Sequence, residues 1–190
     1  ALATLVFRRR DKREDMPGID ESKQFIPLKI AVLTMSDTRE LADDKSGSIL
    51  VERIEKAGHT LAARAIVTDD VEKIRAQVKS WIADPVIDVV ITTGGTGFTG
   101  RDVTPEALEP LFEKRMEGFS TLFLMVSHAK IGTSAIQTRA TAGVAGATYI
   151  FCLPGSPGAC KDAWDEILVH LNDYRYRPFN FDEIMPRLDE

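Results

Sequence analysis

Apolar positions recur along the chain with two periods, and their alternation sets the expected fold. The run Ile30-Ala31-Val32-Leu33-Thr34 is short, apolar and partly β-branched, which predicts a buried strand. From Ser46 to Ala57 the apolar residues Leu50, Ile54 and Ala57 fall on one stripe and Gly58 follows, which predicts a helix with a glycine stop. The same pair repeats: Leu61 to Val67 reads as a strand, then Val71, Ile74, Val78 and Ile82 recur at helical spacing until Asp84-Pro85. Val86-Ile87-Asp88-Val89-Val90-Ile91 predicts a central strand buried on both faces. Farther on, Thr104 reads as a helix N-cap with Pro105 as the first helical residue and Glu106 as a first-turn acid. Phe119 to Ser127 reads as a buried helix and Tyr149 to Leu153 as a further strand. After the turn Pro154-Gly155-Ser156-Pro157 comes a last long helix with Cys160, Ala163, Trp164, Ile167, Leu168 and Leu171 on its core face.

Alternating strands and helices predict an α/β domain with a mainly parallel sheet and helices on both faces. With 190 residues and 44% hydrophobic content, one core suffices. Residues 1–24 read as an N-terminal extension, flexible or added upstream, 25–181 as the domain, and 182–190 as a short C-terminal tail. The extension opens with Ala1 to Asp15, where Arg8 to Asp15 is a mixed-charge run without apolar period, ahead of a natural start at Met16. Tyr174 to Phe181, with Pro178 among aromatics, is expected to pack on the body or on a neighbouring subunit.

Charge and cysteine usage narrow the function. A formal net charge of −5 argues against a general nucleic-acid binder, so an anionic ligand would need local dipoles and a few placed cations. Cys152 and Cys160 read as reduced core residues, and His59, His128 and His170 are too scattered for a zinc cluster. The apolar runs are too short to cross a bilayer, and the expected location is the cytoplasm.

In parallel α/β sheets ligands bind beyond the carboxyl ends of the strands. Three loops with the right chemistry fall there. Ser36-Asp37 and Asp44-Lys45-Ser46-Gly47 follow the first strand, Thr92-Thr93-Gly94-Gly95-Thr96-Gly97 leads to Arg101-Asp102 after the central one, and Pro154-Gly155-Ser156 follows the last. The glycines allow main-chain amides to converge on an anion. Gly95-x-Gly97-x-x-Gly100 also satisfies a dinucleotide fingerprint, but Pro105 would break a helix opening that early, and no Gly-Lys-Ser/Thr follows to make a P-loop. Turn or cap formation alone is at least as good a reading for Ser36, Asp37, Asp44 and Ser46. Asp69 stands where a helix N-cap is expected, Asp102 could brace its own loop, and Arg139 could be a surface ion pair.

Taken together, these segments resemble the molybdopterin adenylyltransferase family, which includes MoaB, MogA and the gephyrin G domain. The likeness runs from about Phe25 to Phe181, and Phe25-Ile26-Pro27, Ile131-Gly132-Thr133-Ser134 and Arg177-Pro178-Phe179-Asn180-Phe181 are most similar to the MoaB branch. The resemblance implies a three-layer α/β fold, a trimer or hexamer, possible contact with other proteins of the cofactor pathway, and transfer of AMP from Mg-ATP to the terminal phosphate of molybdopterin. It implies that Asp69 and Asp102 are catalytic and hold Mg²⁺. Substrate contacts are expected from Ser36, Asp37, Asp44, Ser46, Thr93, Gly94, Gly95, Thr96, Gly97, Arg101, Pro154, Gly155 and Ser156, with Arg139 meeting the pterin phosphate. Relatives often carry a lysine where this chain has Gly158, and Lys161 lies one helical turn later. The alternative function is a non-catalytic molybdopterin-binding or scaffolding protein of the same pathway.

Overall fold

The computed structural model describes residues 16–181 and 184–188; the charged run of the first fifteen residues lies outside them. The chain begins with a short strand β1 (Gly18–Ile19), then β2 (Lys29–Met35), α1 (Lys45–Lys56), β3 (Thr60–Val67), α2 (Val71–Ile82) and β4 (Val89–Thr93). It continues with α3 (Thr104–Leu108), β5 (Lys114–Arg115), α4 (Glu117–Ile131), β6 (Thr141–Ala145), β7 (Thr148–Leu153), α5 (Pro157–Ala163), α6 (Val169–Leu171) and β8 (Tyr176–Arg177). Six strands form one sheet in the order β3-β2-β4-β7-β6-β5, in which β3, β2, β4 and β7 run parallel and β6 and β5 are antiparallel additions. The three-layer α/β architecture is therefore as expected from the alternating pattern.

Alternation along the parallel strands feeds two cores. Ile30 and Val32 of β2, Val89 and Ile91 of β4 and Phe151 of β7 pack with Leu50 and Ile54 of α1, Phe123 of α4 and Trp164. Their neighbours Ala31, Leu33, Val90, Ile150 and Cys152 face the opposite side, against Ile74 and Val78 of α2 and Leu108 of α3. Both cysteines are buried and unpaired. Burial pushes the thiol of Cys152 up to about 12 and that of Cys160 up to about 11, so neither is a nucleophile at neutral pH.

Several elements differ from the sequence reading. The central strand starts at Val89 rather than Val86, because Asp84 caps a turn: its carboxylate accepts the Val86 N–H at 2.9 Å and its carbonyl the Ile87 N–H at 3.1 Å. Thr104 is the first helical residue of α3 rather than its N-cap, and its hydroxyl donates to the Gly94 carbonyl at 2.8 Å instead. The helix expected at Phe119 to Ser127 runs farther in both directions, and the last helix is broken by a π-helical turn at Trp164–Leu168. The antiparallel strands β5 and β6 were not expected. Thr141-Ala142-Gly143-Val144-Ala145 is too small and too weakly alternating to stand out, and β6 forms by tertiary pairing with β7.

β1 pairs antiparallel with β8, which ties part of the segment assigned to the extension to the domain. Close to this junction the buried His59 Nδ1 accepts the Leu28 N–H at 3.1 Å, and the Phe25 ring lies 5.1 Å from the imidazole. Beyond β8, Met185 and Leu188 pack against the larger core.

Candidate functional site

Because β2, β3, β4 and β7 are parallel, their carboxyl ends open on one rim. The loops after them are joined by main-chain bonds, Ser36 N–H to the Val67 carbonyl at 2.9 Å and Gly94 N–H to the Leu153 carbonyl at 3.1 Å. Here the glycine loop meets two carboxylates. Gly95 has φ +62°, and a Cβ on it would lie 2.4 Å from the Thr104 hydroxyl and 2.9 Å from a carboxylate oxygen of Asp69. A Cβ on Gly97 would lie 2.8 Å from a carboxylate oxygen of Asp102. The absence of side chains at these positions lets both acids come down onto the loop.

The two acids differ in their surroundings. Thr99 donates to Asp102 from its hydroxyl at 2.6 Å and from its amide at 2.9 Å. The Thr99 hydroxyl above all, and then the loop amides, hold the Asp102 carboxyl below the usual carboxylate range. Asp69 is not the cap of α2: that role belongs to Asp70, which accepts the Lys73 N–H at 2.9 Å. Among the described residues nothing donates to the Asp69 carboxylate, and burial first, then the like charges of Asp37 and Asp102, push its pKa up. Asp37 is the opposite case. The Arg101 fork engages one of its oxygens, with Nε at 2.9 Å, and holds its pKa down, while its other oxygen accepts the Asp69 N–H at 3.2 Å.

The structure brings Ser36, Asp37, Asp69, Gly94, Gly95, Arg101, Asp102 and Gly155 to one cavity of about 380 Å³, together with Arg39, which the sequence reading missed although it is the one cation in the Ser36 to Arg39 loop. A second cavity of about 380 Å³ shares Gly95, Asp102 and Gly155 as a common wall and takes in Thr96, Gly97, Pro154 and Ser156. Its far side is formed by α4 and the 3₁₀ turn after it through Phe123, Ser127, Ser134 and Gln137. No sequence signal marked these last residues as ligand-facing, since their approach to the glycine loop depends on how α4 packs across the sheet.

Other expected site residues lie behind the rim and hold it. Asp44 is fully buried: it caps α1 by accepting the Gly47 N–H at 2.9 Å, accepts the Thr34 hydroxyl at 2.7 Å, and pairs with Arg64 at 3.1 Å. Ser46 and Thr93 donate their hydroxyls to the carbonyls of Gly155 and Pro154, each at 2.9 Å, and so fix the loop after β7. Ser156, by contrast, lines the second cavity and also caps α5 by accepting the Ala159 N–H at 3.2 Å. Arg139 faces the glycine loop: its guanidinium donates to the carbonyls of Gly97 and Asp102, each at 2.8 Å, and pairs with Glu106. Lys161 lines a separate groove between α1 and α5 with Arg53 and Lys56, away from this rim.

Comparison with known proteins decides the family. Residues 31–173 match the family model described as a probable molybdopterin binding domain. The chain belongs to this family of molybdenum cofactor biosynthesis proteins. It is 49% identical over 160 residues to molybdenum cofactor biosynthesis protein B of Escherichia coli K12, covering 84% of this chain and 94% of that protein. The corresponding protein of Bacillus subtilis is 42% identical over 155 residues, covering 80% and 91%. A crystal structure of a molybdenum cofactor biosynthesis protein B superposes with a TM-score of 0.79 at 36% identity, covering 87% of this chain and 98% of the other. The tungsten cofactor synthesizing protein MoaB of Pyrococcus furiosus does so with a TM-score of 0.71 at 32% identity, covering 86% and 98%. No described helix is long and apolar enough to cross a membrane.

The resemblance to adenylyltransferases of this family raises the question of magnesium. Among the described residues no three His, Cys, Asp or Glu side chains are placed to hold a metal ion by themselves. Mg²⁺ bound with a nucleotide, however, uses one or two carboxylates and takes its other ligands from phosphates and water. Asp69, partly buried and without a donor among the described residues, lines the same cavity as Asp102 and fits that demand.

Proposed function

We propose that this protein transfers AMP from Mg-ATP to the terminal phosphate of molybdopterin, releasing pyrophosphate. The observation that carries this reading is that Asp69 and Asp102, from the loops after β3 and β4, line one cavity beside the glycine loop, with a second cavity against the same wall. Two adjoining cavities suit two reactants that must meet at one phosphorus. The charged one suits the triphosphate. The other, with the hydroxyls and amide of Ser127, Ser134 and Gln137 around Phe123, suits a flat heterocycle with polar edges.

The attacking group is a phosphate oxygen, already anionic at neutral pH, so no general base is needed. The task is to hold two polyanions in line and to offset charge around the α-phosphorus. The glycine loop, held by Arg139 through the Gly97 and Asp102 carbonyls, forms part of the shared wall. Asp69 and Asp102 are the residues that would hold Mg²⁺, which when bound supplies neutralisation of the phosphate oxygens.

The resemblance adds assembly as a trimer or hexamer, and α4 supports self-association: Leu124, Met125 and Ile136 are exposed around an apolar groove of about 580 Å³. Cytoplasmic placement accords with two buried, unpaired cysteines.

Purified protein given molybdopterin, ATP and Mg²⁺ is expected to form adenylylated molybdopterin and pyrophosphate. Asp102→Asn is expected to lower turnover at least about a hundredfold, the scale of losing a group that stabilises the transition state, with molybdopterin affinity retained. Molybdopterin binding without product in the unaltered protein would instead identify the non-catalytic binding protein of the pathway.

A further inference from the structure

The charged cavity is lined by three acidic residues, Asp37, Asp69 and Asp102, and two arginines, Arg39 and Arg101. These two arginines are not equivalent. Arg101 places both Nε and Nη2 on one oxygen of Asp37, the other oxygen of which accepts the Asp69 N–H at 3.2 Å. That arrangement straps the loops after β2, β3 and β4 together and largely cancels the Arg101 charge. Arg39 has no such partner: among the described residues no carboxylate pairs with it and no acceptor takes its side chain. Its main chain is nevertheless held, since the Ser36 hydroxyl oxygen accepts the N–H of Thr38 at 3.3 Å and of Arg39 at 3.1 Å. An arginine without a charge partner among the described residues, on a held loop that lines the cavity, is a cation available to a polyanion there.

This inference rests on the adenylyl-transfer reading. In that reaction a phosphate oxygen of the acceptor forms a bond to the α-phosphorus while the bond from that phosphorus to the bridging oxygen of the β-phosphate breaks. The bridging oxygen leaves with the electron pair, so negative charge grows on pyrophosphate and no proton need move. We propose that Arg39 is the cation that contacts this departing pyrophosphate, and that Arg101 is a positioning residue that acts through Asp37 by holding the three loops in register.

Binding of inorganic pyrophosphate to the full chain, measured by calorimetry with Mg²⁺ and without molybdopterin, separates the two roles. Arg39→Ala is expected to weaken pyrophosphate binding about tenfold or more, the worth of a charge-assisted hydrogen bond, with Tm unchanged and with kcat lowered. Arg39→Lys should recover part of the loss. Arg101→Ala should lower Tm, and it should be matched by Asp37→Asn in both Tm and turnover, as expected when two residues act as one strap. Pyrophosphate affinity unchanged in Arg39→Ala, while the unaltered protein binds pyrophosphate and turns over, would overturn the inference and leave the adenylyl-transfer reading intact. An unaltered protein that binds neither ATP nor pyrophosphate would overturn both.

Discussion

Asp44 and Asp69 both follow parallel strands of the same sheet, and sequence alone offers the same two readings for each, a helix cap or a ligand. Their surroundings separate them. Asp44 is fully buried and satisfied on every side by the Gly47 amide, the Thr34 hydroxyl and the Arg64 guanidinium. Asp69 is only partly buried and has no donor among the described residues, and burial together with two like-charged neighbours works against its ionised form. A structural acid is recognised by a full set of partners; an acid left short of partners beside a cavity is held in a state that a cation or ligand would relieve.

The comparison is open to test by substitution, and the largest effect is expected at Asp44. Asp44→Ala leaves the Arg64 charge without its partner and removes the α1 cap, and should cost about 3–5 kcal/mol by chemical denaturation, the scale of breaking a buried pair by removing one member. A loss below about 1 kcal/mol would show that Asp44 is not the brace its contacts indicate. Arg139→Met should come next, at about 1–3 kcal/mol, because the carbonyls of Gly97 and Asp102 lose their donor. Turnover should fall with it as the glycine loop loosens.

Asp69→Asn should have the smallest effect on stability and the opposite sign. Removing an uncompensated charge is expected to raise Tm in the absence of ligand while lowering activity. The pH dependence sharpens this. A folded-state pKa above the ordinary value of 3.8 means that the unfolded chain releases this proton first as pH rises. The Asp69 contribution to stability is therefore intact below pH about 3.8 and lost as pH climbs through the folded pKa. The stability gain of Asp69→Asn over the unaltered protein should accordingly vanish in acid and open as pH rises. A gap independent of pH would mean that Asp69 ionises normally.

Periodicity made the four parallel strands, their helices and the glycine loop legible, because strands buried on both faces are continuous apolar runs and Gly, Pro and Asp punctuate them. Which rim residue touches the cavity was not legible. Ser46, Thr93 and Arg139 carry the same kinds of donor as the residues that line the cavities, and only the structure shows these donors directed to the carbonyls of Gly155, Pro154 and Gly97. Arg39 escaped notice for the converse reason, since a lone arginine in a loop has no spacing that marks it. The second cavity likewise depends on α4, whose approach to Gly97 joins residues about thirty positions apart.

By itself, then, the order of apolar runs and turn residues determined the parallel strands of the sheet and the rim on which ligands would gather, because each of those follows from local period and from the handedness of strand–helix–strand connections. Tertiary structure alone decided which acids are saturated and which are left exposed to a ligand, because hydrogen-bond partners such as Arg64 for Asp44 and Arg101 for Asp37 come from distant segments that only folding brings within reach.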